Sequence, residues 1–305
     1  MVREISIEDI SLLNTLIERY ASHKKEDGVT SDTVKKQMQS GLEKETHLLL
    51  TEENSEGVAQ GFLVINLKSD RLPILFANWE IEIEKRLLDY AFEKLSGTCS
   101  HISFESGYPT PWLTDELSSY AVTLGFVKHD RAFMQLQPID KEVLTECAKS
   151  EGLEFAPFDE PMVEEISKLV FKCVDNTIDQ DLFPYVYGSI QKIEEFLGEF
   201  LRGSFGTHEP LYSWVLRENN QNIGACFLVT RDETGFLVHV VIDPDFRERG
   251  FGNALLCHSL NSLLRVTSSV DKIELAVTSS NPAKRMYDSL GFRTLNDSST
   301  LVWKR

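Results

Sequence analysis

The chain has 305 residues, 42% hydrophobic and 26% charged, with a formal net charge of −17. That is the profile of an ordinary globular protein with room for two domains and ample core. The acidic balance argues against nucleic acid and against an anionic membrane as partners, because both reward basic patches. It suits a cationic amine and would repel a polyphosphate at long range.

Five cysteines (Cys99, Cys147, Cys173, Cys226 and Cys257) are scattered without Cys-x-x-Cys or Cys/His pairing. They predict reduced thiols, no disulfide framework and no metal site. The segment Met1–Asp9 is too acidic and too alternating for a secretory signal, and no apolar run approaches a membrane span, so the cytoplasm is the expected location.

In chain order, residues 2–16 read as a short strand followed by an acidic helix start. Strands are predicted at 46–52, 59–67 and 74–80, then a helix over 84–96, a strand at 100–105, a helix over 113–124 and a strand at 131–137. Residues 138–152 read as a helical connector, opening after Pro138 with Asp140 as candidate cap and stopping at Gly152. The connector lacks the Gly/Ser composition of a floppy linker. Residues 153–170 repeat the opening of the chain, a short strand and an acidic helix start. The following stretch, 173–187, interleaves Asp175, Asp179 and Asp181 with Phe183, Tyr185 and Tyr187. It suits a cationic group held by charge and cation–π contact, and it equally describes a solvated loop pinned by a few rings.

Gly235–Ile242 is a β-branched, apolar strand, and Asp243-Pro244-Asp245 ends it in a turn. Arg247-Glu248-Arg249-Gly250-Phe251-Gly252 follows, and residues 253–264 have helical apolar spacing. Strand, Gly-rich turn and helix aim free backbone N–H groups and the positive end of a helix dipole at one point, where a phosphate or pyrophosphate would sit. The glycines let its oxygens approach the main chain. Past another apolar strand, Ile273–Val277, comes a second block, residues 281–292, with Asn281-Pro282 as a helix start and Gly291 as a helix stop.

This pair of blocks, in this order and spacing, resembles the GCN5-related N-acetyltransferase superfamily over most of residues 153–305. The resemblance implies an α/β fold, a mixed and mainly antiparallel sheet flanked by helices. It implies acetyl-coenzyme A as cosubstrate, its pyrophosphate wrapped by the backbone of Arg247, Glu248, Arg249, Gly250, Phe251 and Gly252. Its pantetheine arm would bond the edge of Val240, Val241 and Ile242 like an added strand. Asn281 matches a residue that contacts the coenzyme arm. Tyr287 matches a residue beside the thioester sulfur that protonates the leaving thiolate, a role a phenol suits because it is neutral at pH 7 and can donate. Lys284 and Arg285 could meet the coenzyme's 3′-phosphate, or simply be solvated charges.

The positions at which family members place a general base read Phe236, Val238 and Ala276, none of which accepts a proton. Strict alternation sends His239 to the face opposite Val238 and Val240, where it reads as a structural histidine unless a bulge re-aims it. Glu274 shares a face with Ala276 and reads as an exposed strand glutamate.

The first half repeats this plan: Leu124-Gly125-Phe126 echoes Leu290-Gly291-Phe292. Where a phosphate turn should stand, however, the chain reads Trp79-Glu80-Ile81-Glu82-Ile83-Glu84, without glycine, and Ala121 occupies the place of Tyr287. The expected organisation is a degenerate acetyltransferase-like domain at 1–138, the connector at 139–152, and a domain with the acetyl-CoA site at 153–305. The resemblance implies an acyl-CoA-dependent N-acyltransferase that acetylates a small-molecule amine, with a protein amine as an alternative acceptor. The competing reading is a non-catalytic acyl-CoA-binding regulatory or sensor protein.

Overall fold

Apolar strands covered by amphipathic helices make up two units in this computed structural model, which describes residues 1–25, 28–105, 113–140, 142, 144 and 152–305. The first unit comprises residues 1–131 with 296–305, the second residues 132–295. The boundaries therefore differ from 1–138 and 153–305, because the last strand is long and its final residues complete the first unit's sheet. Most of the connector, including Cys147, lies outside the described residues.

In the first unit, β1 (Val2–Glu4), β2 (His47–Glu53), β3 (Ala59–Asn66), β4 (Arg71–Phe76), β5 (His101–Glu105) and the end of β12 (Arg293–Lys304) lie side by side in that order. Helices α1 (Asn14–His23) and α2 (Ser31–Glu43) cover one face, packing Leu16, Ile17, Tyr20, Val34 and Met38 against Leu49, Phe62 and Phe76. Helices α3 (Ile81–Ser96) and α4 (Asp115–Thr123) cover the other, where Leu87, Leu88, Ala91 and Ala121 meet Leu50, Leu63, Phe104 and Leu301. No element is predicted between residue 16 and the strand at 46, because α1 and α2 bury only a few apolar residues each within polar sequence. The expected strand at 74–80 is displaced to 71–76, since Asn78 and Trp79 take left-handed φ of 53° and 61° and turn the chain.

The second unit orders β6 (Val127–Leu136, its second half), β11 (Lys272–Thr278), β10 (Thr234–Ile242), β9 (Gln221–Arg231), β8 (Trp214–Glu218) and β7 (Glu154–Pro157). Helix α9 (Phe251–Val266) covers one face and packs Leu255, Leu256, Leu260 and Leu263 against Cys226, Leu228 and Leu237. On the other face Phe227 meets Phe158 and Phe200, at ring-centroid distances of 4.9 and 5.4 Å. That side carries α5 (Val163–Val174), α6 (Ile178–Leu182), α7 (Pro184–Tyr187) and α8 (Ile190–Leu201). Helix α10 (Ala283–Ser289) sits between β11 and β12 in sequence.

The pairing of β10 positions everything that follows. It stays antiparallel to β9 along its whole length, out to Ile242 opposite Gly224. Towards β11 it pairs in parallel only over Thr234–Phe236, among the described residues. From Leu237 onward the two strands part, leaving one edge of β10 open for main-chain hydrogen bonding. β4 and β5 of the first unit behave alike: they pair at Arg71 and Leu72 while β4 stays with β3 as far as Phe76.

Candidate functional site

The turn expected to cradle an anion follows the open end of β10. Pro244–Phe246 makes a single 3-10 turn, and the Asp243 side chain caps it by accepting from the Asp245 N–H at 3.0 Å. Gly250, at φ +80°, is the residue immediately before α9. A left-handed position there favours glycine, and a Cβ built on it would meet nothing within 4 Å. A Cβ on Gly252, by contrast, would stand 3.2 Å from the Met286 sulfur. From Glu248 through Asn253 no backbone N–H has an acceptor among the described residues. A helix N-terminus with a run of unmet donors and no side-chain cap fits a polyanion, so the chain's own residues suit a coenzyme pyrophosphate.

The arginines of the turn are used differently. Arg247 donates from Nε to the Ile242 carbonyl at 3.0 Å and from its terminal nitrogen to the Cys173 carbonyl at 2.9 Å. Arg249 reaches the Asp245 carbonyl at 3.2 Å and lies over the Phe246 ring. Both guanidinium groups brace the turn, and the anion-facing donors are main-chain.

A second brace comes from α5. Lys172 donates to both oxygens of buried Asp243, at 2.7 and 2.9 Å, and to Asp245 at 2.7 Å. These bonds, that to Asp243 foremost, hold the ammonium above its ordinary pKa. Residues 172 and 173 thus tie the cradle to the first helix of the unit, a connection no local pattern announces.

Just beyond the end of β11, Asn281 accepts from the N–H of Ala283, the first residue of α10, at 2.9 Å and so steadies the helix start. Its amide nitrogen donates to Asp179 on α6 at 3.0 Å. The tie to Asp179 was not foreseen; the acidic, aromatic stretch 173–187 marked only a segment. Tyr287 is 6% exposed, with its ring 5.8 Å from Phe292. Burial first, then the nearby Cys226 and Asp179, raise its phenol above the ordinary tyrosine value, so it is firmly protonated at neutral pH. Lys284 pairs with Asp288 one turn along at 3.2 Å, and Arg285 is exposed.

Two expectations on the strands need revision. Glu274 is not an exposed glutamate: it is half-buried, accepts from Gln135 at 2.9 Å and pairs with Lys272 at 3.3 Å. β10 does not alternate strictly either. Leu237 faces Leu228 and His239 faces Phe227, so Val238 is an inserted residue, a β-bulge that reverses the faces beyond it. Phe236, Val238 and Ala276 stay as read, without a proton-accepting atom. His239 shares the face of Phe227, and its Nδ1 lies 3.2 Å from the Tyr187 hydroxyl.

Among the described residues no three His, Cys, Asp or Glu side chains gather as a metal site would require, and no helix is long and apolar enough to cross a membrane. Cys99, Cys173, Cys226 and Cys257 are free thiols, and burial pushes Cys173 and Cys226 up to about 12.

Residues 209–294 match the model of a family described as an acetyltransferase (GNAT) domain. The matched stretch contains the Gly250 turn, the open edge of β10, Asn281 and Tyr287. The whole chain has the fold of GNAT acetyltransferases. It superposes on a GCN5-related N-acetyltransferase from Sphaerobacter thermophilus with TM-score 0.66 at 15% identity, covering 100% of this chain and 95% of that one. A tandem GNAT protein from the clavulanic acid biosynthesis pathway gives TM-score 0.62 at 13% identity, covering 100% and 98%. A GCN5-related glucosamine N-acetyltransferase region in a fungal multi-domain GH3 β-N-acetylglucosaminidase gives TM-score 0.63 at 16% identity, covering 99% of this chain and 38% of that one. No curated protein matches the sequence.

Proposed function

We propose that the protein is an acyl-CoA-dependent N-acyltransferase that moves acetyl from acetyl-CoA to the amine of a small molecule, in the cytoplasm. The observation that carries this reading is the parting of β10 from β11 beside a run of unmet N–H groups at the Gly250 turn. A pantetheine arm and a pyrophosphate need those two features in that order.

The coenzyme supplies the activated acyl group. Val240, Val241 and Ile242 offer it a strand edge, and the backbone of residues 247–252 takes its phosphates. Asn281 holds the start of α10, the helix that carries Tyr287. Tyr287 holds its proton firmly, so its contribution is an O–H bond to the developing thiolate. One functional site per chain is the expectation. In the first unit the turn before α3 has no glycine, and buried Glu84 already accepts the Ala77 N–H there.

A second reading, an acyl-CoA sensor without turnover, draws support from the apolar residues at Phe236, Val238 and Ala276. Release of free coenzyme A thiol, followed over a panel of small amines, separates the two. Tyr287→Phe should slow the release by about a hundredfold while sparing acetyl-CoA binding. Unchanged turnover in that variant would remove Tyr287 from the chemistry. Coenzyme binding without thiol release for any amine would favour the sensor.

A further inference from the structure

The mechanism above leaves one buried polar group without a task. His239 sits three residues beyond the last pair that β10 makes with β11, on the stretch where the two strands have separated. The bulge at Val238 turns its ring to the face of Phe227, the side covered by α5, α7 and α8, away from Cys226, Val240 and α9. There it stacks on Tyr187, with ring centroids 5.2 Å apart and planes 27° from parallel. The Tyr187 hydroxyl takes Nδ1 at 3.2 Å. Tyr187 itself is wedged by Phe183 and Phe196, so the imidazole is held from one side by a ring that cannot easily move. The other nitrogen, Nε2, is inaccessible to solvent and has no partner among the described residues.

His208 and His258 also bury a ring nitrogen that has no partner among the described residues, and of these three His239 alone stands on the stretch of β10 that has parted from β11. A buried nitrogen without a partner is costly, and beside an open strand edge a ligand can complete it. Burial also lowers this imidazole to about 4, so it is neutral at pH 7. With Nδ1–H given to the Tyr187 oxygen, the neutral ring offers only the Nε2 lone pair, which repels an anion and takes a donor. An uncharged N–H donor suits it.

We propose that His239 belongs to the acceptor site: with Nδ1–H donated to the Tyr187 oxygen, the Nε2 lone pair accepts a hydrogen bond from the N–H of a neutral amine. This rests on the acyltransferase reading for what the amine is there to do. Held by one N–H, the amine keeps its own lone pair free for the thioester carbonyl. The residue orients a nucleophile already neutral, which is consistent with the apolar side chains at the usual base positions.

The full chain, labelled with nitrogen-15 histidine and loaded with coenzyme A, tests this by magnetic resonance. Seven histidines contribute, and His239→Gln identifies the His239 signals by their loss. Methoxyamine is the probe, being small and uncharged at pH 7. The expected result is a protonated Nδ1, an unprotonated Nε2, and a saturable shift of the Nε2 signal as methoxyamine is added. Tyr187→Phe should let the two tautomers mix, drawing the two ring signals towards each other. A protonated Nε2 in the wild type, or an Nε2 signal unmoved at the highest methoxyamine concentration the protein tolerates, overturns the proposal. The melting temperature with and without coenzyme A separates the two ideas. Stabilisation with a silent Nε2 leaves the transferase reading and removes the amine site. A responsive Nε2 without stabilisation does the reverse.

Discussion

Gly250→Glu is the most discriminating change, because the structure separates its effect on folding from its effect on the ligand. At φ +80° a side chain costs roughly 1–2 kcal/mol of backbone strain. Two terms offset it. Losing glycine's freedom in the unfolded chain stabilises by about 0.4–1 kcal/mol. A carboxylate at the start of α9 gains roughly 0.3–1 kcal/mol from the helix dipole. Nothing stands within 4 Å of the new Cβ, so no clash adds to the sum. The net cost is about 1 kcal/mol or less, a drop of roughly 2–4 °C at most in melting temperature. The ligand fares otherwise, since the carboxylate would occupy the place of the pyrophosphate among the unmet N–H groups. In a thermal titration, acetyl-CoA at about a hundred times its dissociation constant should add roughly 2.7 kcal/mol to the wild type, or about 5–10 °C. The variant should show no rise. An equal rise in Gly250→Glu would place the coenzyme elsewhere. A baseline fall of more than about 10 °C would show that the strain reasoning itself is wrong.

Three further outcomes are expected. Glu84 is buried and raised to about 7, by burial first, with the Ala77 N–H opposing and Glu116 adding. Its folded pKa exceeds the unfolded value, so stability is full below about 4.5 and falls as pH rises through 7; Glu84→Gln should match wild type at pH 4 and exceed it at pH 8 by up to about 3 kcal/mol in urea unfolding. Lys172→Met and Asp243→Asn should each weaken acetyl-CoA binding, and the double variant should lose little more than either, because they share one ion pair; additive losses in calorimetry would deny the coupling. Gly224→Ala should destabilise by about 1–3 kcal/mol, since its Cβ would meet the Val241 carbonyl at 2.9 Å and the Leu255 side chain at 3.2 Å; a neutral melting temperature would show that β9 and β10 can separate.

Much of this was legible along the chain because it is written locally. Alternation and apolar runs marked β2, β3, β5, β10 and β11 within a few residues. Asn281-Pro282 and Gly291 bracketed α10, and the spacing around Gly250 announced a helix N-terminus. What stayed hidden is long-range or depends on one inserted residue. The bulge at Val238 reverses the faces of β10 with no glycine or proline to signal it. The ties from Lys172 and Cys173 to the cradle, and from Asp179 to Asn281, join elements about a hundred or fewer residues apart that no periodicity connects. The passage of residues 296–305 into the first unit could not be read from a strand that looks continuous.

The two units show which part of the plan is hard to lose. Both keep a glycine on the strand that leads into the parting pair, Gly61 in β3 and Gly224 in β9. At each, a Cβ would clash where the neighbouring strand ends and press on the covering helix: Ala77 at 2.7 Å and Leu87 at 3.1 Å in the first, Ile242 at 2.6 Å and Leu255 at 3.2 Å in the second. Both keep strands that pair briefly in parallel and then separate. The two glycines belong to packing, because a side chain there would press on the helix over the sheet. The anion cradle has no such protection. Its donors face outward, and any carboxylate able to reach them satisfies the fold as well as a phosphate does. In the first unit buried Glu84, from within α3, accepts the Ala77 N–H at the end of β4. Both units have a parting pair of strands, so that feature is weaker grounds for coenzyme binding than unmet N–H groups at a helix start. In the second unit that run extends from Glu248 through Asn253 among the described residues, whereas in the first Ile83 and Glu84 already donate to the Glu80 carbonyl.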